Sequence, residues 1–218
     1  MRSSARAAYQ VALSLMFVLS AACLAQSYRD YVLEAPEGVQ LACTVIDVPA
    51  TPVDPIGEAS LTVLDARPPS LREAQAGRLL NADTFVPFVP GTRPAAILRA
   101  DLETRLTARG VRLLPAAPVR IEARLTRAHV QPRIGLLENR LEGGVEFDFE
   151  VIRRRDGAVL WRSAVAGRST STQRTHTSSL DYGEALGEAY CAALAEASAW
   201  VSTRPFQQAL TGERSVSE

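Results

Sequence analysis

The feature of this sequence that most constrains its fold is a strict alternation of apolar and polar residues in two central segments. The apolar positions of these segments are Val119, Ile121, Ala123 and Leu125, followed by Val145, Phe147, Phe149 and Val151. Charged residues fill most of the positions between them. Because successive side chains of a strand point to opposite faces, both segments predict strands with one buried and one charged face, which is typical of an antiparallel sheet.

Further elements flank these two strands. Residues 59–66 predict an earlier strand, and Asp156-Gly157 is a pair that tight hairpins favour, which predicts a last strand over about 159–167. Helical spacing of leucines after Pro94 predicts a helix that ends at Gly110. A second, alanine-rich helix is expected over about 180–203. The sequence therefore predicts an α+β fold: an antiparallel sheet of about four strands with two helices packed on one face, in the order strand, helix, three strands, helix.

The segment between the first strand and the first helix has no clear periodicity. Prolines interrupt it, and a short helix near residues 71–79 is the element that its pattern suggests.

Residues 1–25 have the layout of a secretory signal peptide. Arg2 and Arg6 precede an apolar block of about 12 residues, and small residues follow it. A membrane-spanning helix needs about 20 apolar residues, so a permanent transmembrane anchor is the weaker interpretation. We therefore expect an exported chain with an N-terminal arm over 26–57, a single domain over 58–210 and a disordered tail over 211–218.

Cys23 allows two interpretations of the end of this signal. A bacterial lipoprotein signal places small residues directly before a cysteine that is lipidated and becomes the mature N-terminus, and Ser20-Ala21-Ala22 precede Cys23. Leu19 stands one place earlier than in the usual pattern. The alternative is ordinary cleavage after Ala25, which would discard Cys23.

Cys43 and Cys191 are the remaining two cysteines. In an oxidising compartment an exported pair is a disulfide candidate, and the alternative is two separate buried thiols. A bridge would close a long loop and contribute on the order of 4–5 kcal/mol in the chain-entropy description.

The charge balance excludes a general nucleic-acid binder. All 24 basic residues are arginine, and without Arg2 and Arg6 the mature chain has 22 arginines against 24 acidic residues, a formal charge of −2. Nucleic-acid binding needs a basic surface, which this composition does not supply.

No catalytic, metal or cofactor motif is recognisable, so we expect neither enzymatic activity nor a bound metal or cofactor. The two histidines, His129 and His176, have no zinc-type spacing with cysteine. Glu146, Asp148 and Glu150 share one strand face, which suggests either paired carboxylates or, by the usual behaviour of charge runs, a solvated face paired with arginines such as Arg120 and Arg124.

Arg153, Arg154 and Arg155 lie at the predicted hairpin tip. Arginine forks match phosphate geometry, so this run is suited to contact an anionic surface such as lipid headgroups or lipopolysaccharide phosphate. The alternative is an ordinary solvated turn.

The order of elements and one short segment resemble the YajG family of bacterial outer-membrane lipoproteins. The segment is residues 96–110, which ends in Leu-Thr-Ala-Arg-Gly, and the similarity extends over roughly 59–210. It implies a non-enzymatic envelope lipoprotein in the periplasm, anchored to the outer membrane through a lipid on Cys23, with an envelope protein as partner. The topology is also similar to lipoproteins of lipopolysaccharide assembly and of envelope ABC transporters, which implies the alternative of a soluble periplasmic accessory subunit of such a transport complex.

Overall fold

Three long antiparallel strands form the centre of the computed structural model, which describes residues 38–43, 54–69, 75–78, 85–89, 91–134, 139–173 and 179–212. They are β5 (Val119–Ile134), β6 (Asn139–Arg153) and β7 (Val159–Gln173). Ile121 pairs with Val151, and Phe147 pairs with Val165. The alternating apolar residues of β5 and β6 are almost completely buried, so the prediction of strands with one buried face is confirmed.

The first strand corrects the expected sheet, because the sheet is mixed rather than antiparallel. β1 (Gly57–Asp65) runs parallel to β5, with Leu61 beside Ile121. The short β4 (Val111–Leu113) lies parallel to β1 on its other side. The main layer therefore has the order β4-β1-β5-β6-β7, five strands instead of four. The reason is the helix between β1 and β5, which returns the chain to the end where β1 began and makes the next strand parallel.

Two further strands lie beside the second half of β5. β2 (Gln75–Arg78) pairs antiparallel with β3 (Phe85–Pro87), and Gly77 of β2 pairs with Val130 of β5. The expectation of a helix near 71–79 is therefore wrong over residues 75–78.

Within the part of the chain that the structure describes, three helices pack on one face of the sheet, one more than expected. α1 (Pro94–Ala108) buries Leu98, Leu102 and Leu106, as its leucine spacing predicts. α2 (Ser179–Val201) lies across β5, β6 and β7. The additional α3 (Arg204–Leu210) follows Thr203, has a proline in its first turn and buries Phe206 among the sheet's aromatic residues, 5.0 Å from the Trp161 ring and 5.7 Å from that of Phe149.

Small residues allow α2 to approach the sheet closely. Ala185, Ala189 and Ala193 of α2 are completely buried. A Cβ at Gly167 of β7 would overlap the carbonyl oxygen of Ala189, and one at Gly143 of β6 would overlap that of Ala185. The glycines are therefore required by the helix backbone that passes over them.

The described part of the N-terminal arm packs into the same core. Val39 and Leu41 are buried, and Val39 forms a parallel β-bridge with Phe88, next to β3. The predicted signal peptide with Cys23, and residues 213–218 of the predicted tail, lie outside the described residues. None of the helices described is both long enough and apolar enough to span a bilayer.

Candidate functional site

The predicted arginine run lies at the β6–β7 hairpin, whose turn has a well-defined hydrogen-bonded geometry. The Arg153 N–H donates to the Ala158 carbonyl at 2.8 Å, and the Gly157 N–H donates to the Arg153 carbonyl at 2.9 Å. Gly157 has a φ of 69°, the left-handed conformation that glycine adopts without strain. The hairpin that the Asp-Gly pair predicts is therefore present, but its connection is four residues long, 154–157, rather than the Asp-Gly pair alone.

Each of the three arginines has a different environment. Arg153 is mostly buried, and its Nη1 lies 3.1 Å from Oδ2 of Asp156. Arg154 is exposed, and its Nη1 donates a 2.7 Å hydrogen bond to the carbonyl oxygen of Pro115. The side chain of Arg155 is 78% exposed, with its Nε 3.7 Å from the same Asp156 carboxylate.

The arginines form one wall of a cleft of about 440 Å³. The other walls are residues 116–119 of the β4–β5 connection and Thr211 and Gly212 after α3. We call this feature the arginine cleft. The sequence identifies the arginine run as a candidate site but not the residues that face it. The β4–β5 connection and the end of α3 are far from the hairpin in the chain, and no motif in them indicates that they line a cleft.

Asp156 is the carboxylate that pairs with two of these arginines. The hydrogen bond from the Ala158 N–H holds the pKa of Asp156 below its ordinary value, and the charges of Arg153 and Arg155 act in the same direction. Asp156 is therefore ionised at neutral pH and balances one arginine charge. The guanidinium of Arg154 pairs with a neutral carbonyl, so the hairpin keeps a local excess of positive charge.

The two predicted disulfide cysteines are brought together elsewhere in the fold. Cys43 in the arm and Cys191 in α2 form a disulfide, with their Cα atoms 5.1 Å apart and a sequence separation of 148 residues. Nη2 of Arg105 in α1 lies 3.6 Å from the Cys43 sulfur. The bridge therefore fastens the arm to the middle of α2.

The face of the sheet opposite the helices carries an ion-pair network. Glu122 of β5 and Glu150 of β6 lie directly across from each other in the register. Glu122 contacts Arg124 at 2.6 Å and Arg120 at 3.0 Å, and Glu150 contacts Arg162 of β7 at 2.6 Å. The hydrogen bond and negative charge of Glu122 raise the pKa of Arg124 above its ordinary value.

The expected pairing of acidic residues with arginines is found on this face, but the expectation that its carboxylates are solvated is wrong for Glu150. The side chains of Glu122 and Glu150 are only 5% and 4% exposed. Arginine side chains from neighbouring positions pair with both carboxylates at the surface of the sheet. These ion pairs satisfy both buried carboxylates.

His129 of β5 lies beside an arginine rather than another metal ligand. Nε of Arg127 is 2.9 Å from the His129 Nδ1, and Nη1 of Arg127 is 3.2 Å from Glu146. Burial lowers the pKa of His129, and the charge of Arg127 lowers it further. Within the described ranges, no group of three or more metal-ligating side chains is assembled; His176 lies outside those ranges.

A second cleft, of about 390 Å³, lies at the start of α1. Arg93 and Arg99 line it together with Asp65 of β1, and Asp65 is bound to the buried Arg67 at 2.7 Å. It has almost the volume of the arginine cleft but two lining arginines instead of three, and we call it the comparison cleft.

No protein-family model matches this chain. The search of curated proteins gives no match either.

A solved structure shares the fold at low sequence identity, and others superpose less well. A protein of family DUF330 from Xanthomonas campestris superposes with a TM-score of 0.53 at 11% identity, over 74% of this chain and 94% of that chain. A candidate neuraminyllactose-binding hemagglutinin homolog from Helicobacter pylori gives a TM-score of 0.48 at 8% identity, over 80% and 98%. A minor lipoprotein from Acinetobacter baumannii gives 0.41 at 14% identity, over 67% and 93%. The Xanthomonas structure supports a shared α+β fold and says nothing further about this chain.

Proposed function

We propose that this chain is an exported, non-enzymatic protein of the bacterial cell envelope, held at the outer membrane by a lipid on Cys23 and acting as a binding or assembly partner in the periplasm. The observation that carries the proposal is the disulfide between Cys43 and Cys191. Structural disulfides form and persist in oxidising compartments such as the periplasm and are rare in the cytosol. The bridge therefore agrees with the export signal that residues 1–25 predict.

The similarity of residues 96–110 to the YajG family supports the lipoprotein part of this proposal. It favours lipidation at Cys23 over cleavage after Ala25. A chain anchored in this way has 15 residues between Cys23 and Val39, the first arm residue with a β-bridge. An extended segment of that length reaches at most about 55 Å, which is enough to let the folded domain contact partners away from the membrane surface.

Intact mass spectrometry of the protein purified from its native envelope tests the anchor. We expect a chain that begins at Cys23 and carries the mass of two or three acyl groups. The Cys23→Ser variant is the matched control, and it should lose the acyl mass and the membrane association together. An unmodified chain that begins at Gln26 would overturn the anchor.

The second candidate is a soluble periplasmic accessory subunit of a lipid or lipopolysaccharide transport complex. The excess of positive charge at the arginine cleft favours it, because such a subunit has to contact anionic lipid. An unmodified chain recovered in the periplasmic extract, rather than in the membrane pellet, is the result that selects this candidate over the first.

A further inference from the structure

We propose that the arginine cleft is a binding site for an anionic phosphate group, either free or in a lipid headgroup. The site consists of Arg153, Arg154 and Arg155 with the facing residues 116–119 and the Thr211–Gly212 segment. This goes beyond the proposed envelope role and does not rest on it, because the site is formed entirely by the folded domain and needs no lipid on Cys23.

The first argument is the uncompensated charge. Three guanidinium groups line the cleft, and Asp156 is the single carboxylate that pairs with any of them among the residues described. The chain as a whole has a formal net charge of zero, so this excess is a local property of the hairpin. Such a concentration of like charge is unfavourable by itself and is relieved by an anion.

The second argument is that Arg154 is held in place before any ligand arrives. Its backbone N–H donates to the Pro118 carbonyl at 2.9 Å, and its Nη1 donates to the Pro115 carbonyl at 2.7 Å. One guanidinium has five N–H donors, so these contacts leave donors available for a phosphate. A side chain that is already ordered loses less conformational entropy when it binds.

The third argument is the wall that faces the arginines. The facing wall, Ala116-Ala117-Pro118-Val119, is apolar and displaces water, which strengthens charge–charge attraction in the cleft.

The test is calorimetric titration of the full mature protein with four probes: inorganic phosphate, glycerol 1-phosphate, and the short-chain lipids dihexanoyl phosphatidylglycerol and dihexanoyl phosphatidylcholine below their micelle concentrations. We expect saturable binding of at least one anionic probe and none of the zwitterionic phosphatidylcholine. Binding of inorganic phosphate identifies the ligand as a free phosphate, and binding of phosphatidylglycerol alone identifies it as a lipid headgroup.

Matched double variants locate the site. Arg154→Gln/Arg155→Gln should weaken binding at least tenfold. Arg93→Gln/Arg99→Gln removes the same charge from the comparison cleft at the start of α1 and should change the affinity less than twofold. Arg154→Lys keeps the charge but loses the planar fork, and we expect a loss between these values. The proposal is overturned if no anionic probe binds, or if both double variants weaken binding equally.

A single substitution keeps the test decisive if the double variant folds poorly. Arg155 is 78% exposed, and its one ion pair among the described residues is with Asp156, so Arg155→Gln should leave the melting temperature unchanged. We expect it to weaken binding of the anionic probe at least threefold. An unchanged affinity in this folded variant would also overturn the proposal.

Discussion

The hydroxyl of Tyr190 in α2 donates a 2.6 Å hydrogen bond to Oδ2 of Asp101 in α1 and so joins the two long helices directly. Tyr190 is completely buried. Burial raises the pKa of Tyr190 far above its ordinary value, and the hydrogen bond to the Asp101 carboxylate raises it further. The phenol therefore stays protonated and keeps donating to Asp101 throughout the physiological range of pH.

Removing this hydroxyl should be costly. Tyr190→Phe leaves the Asp101 carboxylate without its donor from α2, and a hydrogen bond to a charged group contributes about 1.5–3 kcal/mol. We expect the free energy of unfolding in urea to fall by about that amount. Tyr182→Phe is the matched control, because the Tyr182 hydroxyl is buried without a hydrogen-bond partner among the described residues. Equal losses in the two variants would contradict the assigned role of the Tyr190 hydroxyl.

The bridge between Cys43 and Cys191 closes a long loop of the chain, so it should make a large contribution to stability. For 148 residues of separation the chain-entropy description gives about 4–5 kcal/mol. We expect Cys43→Ser/Cys191→Ser to lose this amount in urea unfolding, and the reduced wild-type protein to match the variant. Cys23→Ser should leave the unfolding midpoint unchanged. A reduced wild-type protein as stable as the oxidised one would argue against this contribution.

The central strands could be predicted from sequence because burial alternates along each strand by a local rule. The same rule fails at one point in β5: the register shifts between Leu125 and Arg127, and beyond it the buried residues are Ala128 and Val130. Such a bulge adds one residue and exchanges the two faces. The alternation therefore locates the strand but does not show where the buried positions change from odd to even residue numbers.

The direction of β1 and the burial of Glu150 depend on contacts between distant segments. β1 is parallel to β5 because α1 crosses between them, and nothing in residues 57–65 encodes that pairing. Glu150 is buried by its pairing with Arg162 of the neighbouring strand, which the sequence alone does not place beside it. In the arginine cleft the same division holds: the run of arginines is visible in sequence, whereas the Pro115 carbonyl that orders Arg154 is not.

Tyr182 should make stability depend on pH in the alkaline range. Burial raises the pKa of Tyr182 to about 12, whereas a tyrosine in the unfolded chain titrates near 10. The contribution of the protonated Tyr182 to the free energy of unfolding is therefore fully present below pH 10. It is lost as the pH rises from 10 through about 12, because the unfolded chain releases the proton first. Over this window the wild type should lose stability that the Tyr182→Phe variant keeps. Urea unfolding at pH 8 to 11.5 should therefore show the free energy of unfolding of the variant rising relative to that of the wild type. A constant difference between the two proteins across the window would contradict the assignment.

Gly167 and Gly183 should respond in opposite directions to the same substitution. A Cβ at Gly167 would overlap the backbone of α2 at Ala189. Because this backbone cannot move without shifting the whole helix, we expect Gly167→Ala to lower the free energy of unfolding by about 1–3 kcal/mol or more. Gly183 lies in the first turns of α2, and a Cβ there meets nothing within 4 Å. Alanine is favoured over glycine in a helix by about 0.5–1 kcal/mol, so Gly183→Ala should stabilise the protein by that amount. Urea unfolding of both variants compares their free energies of unfolding. A Gly167→Ala protein as stable as wild type would show that the α2 backbone is not in close contact with β7 at Gly167.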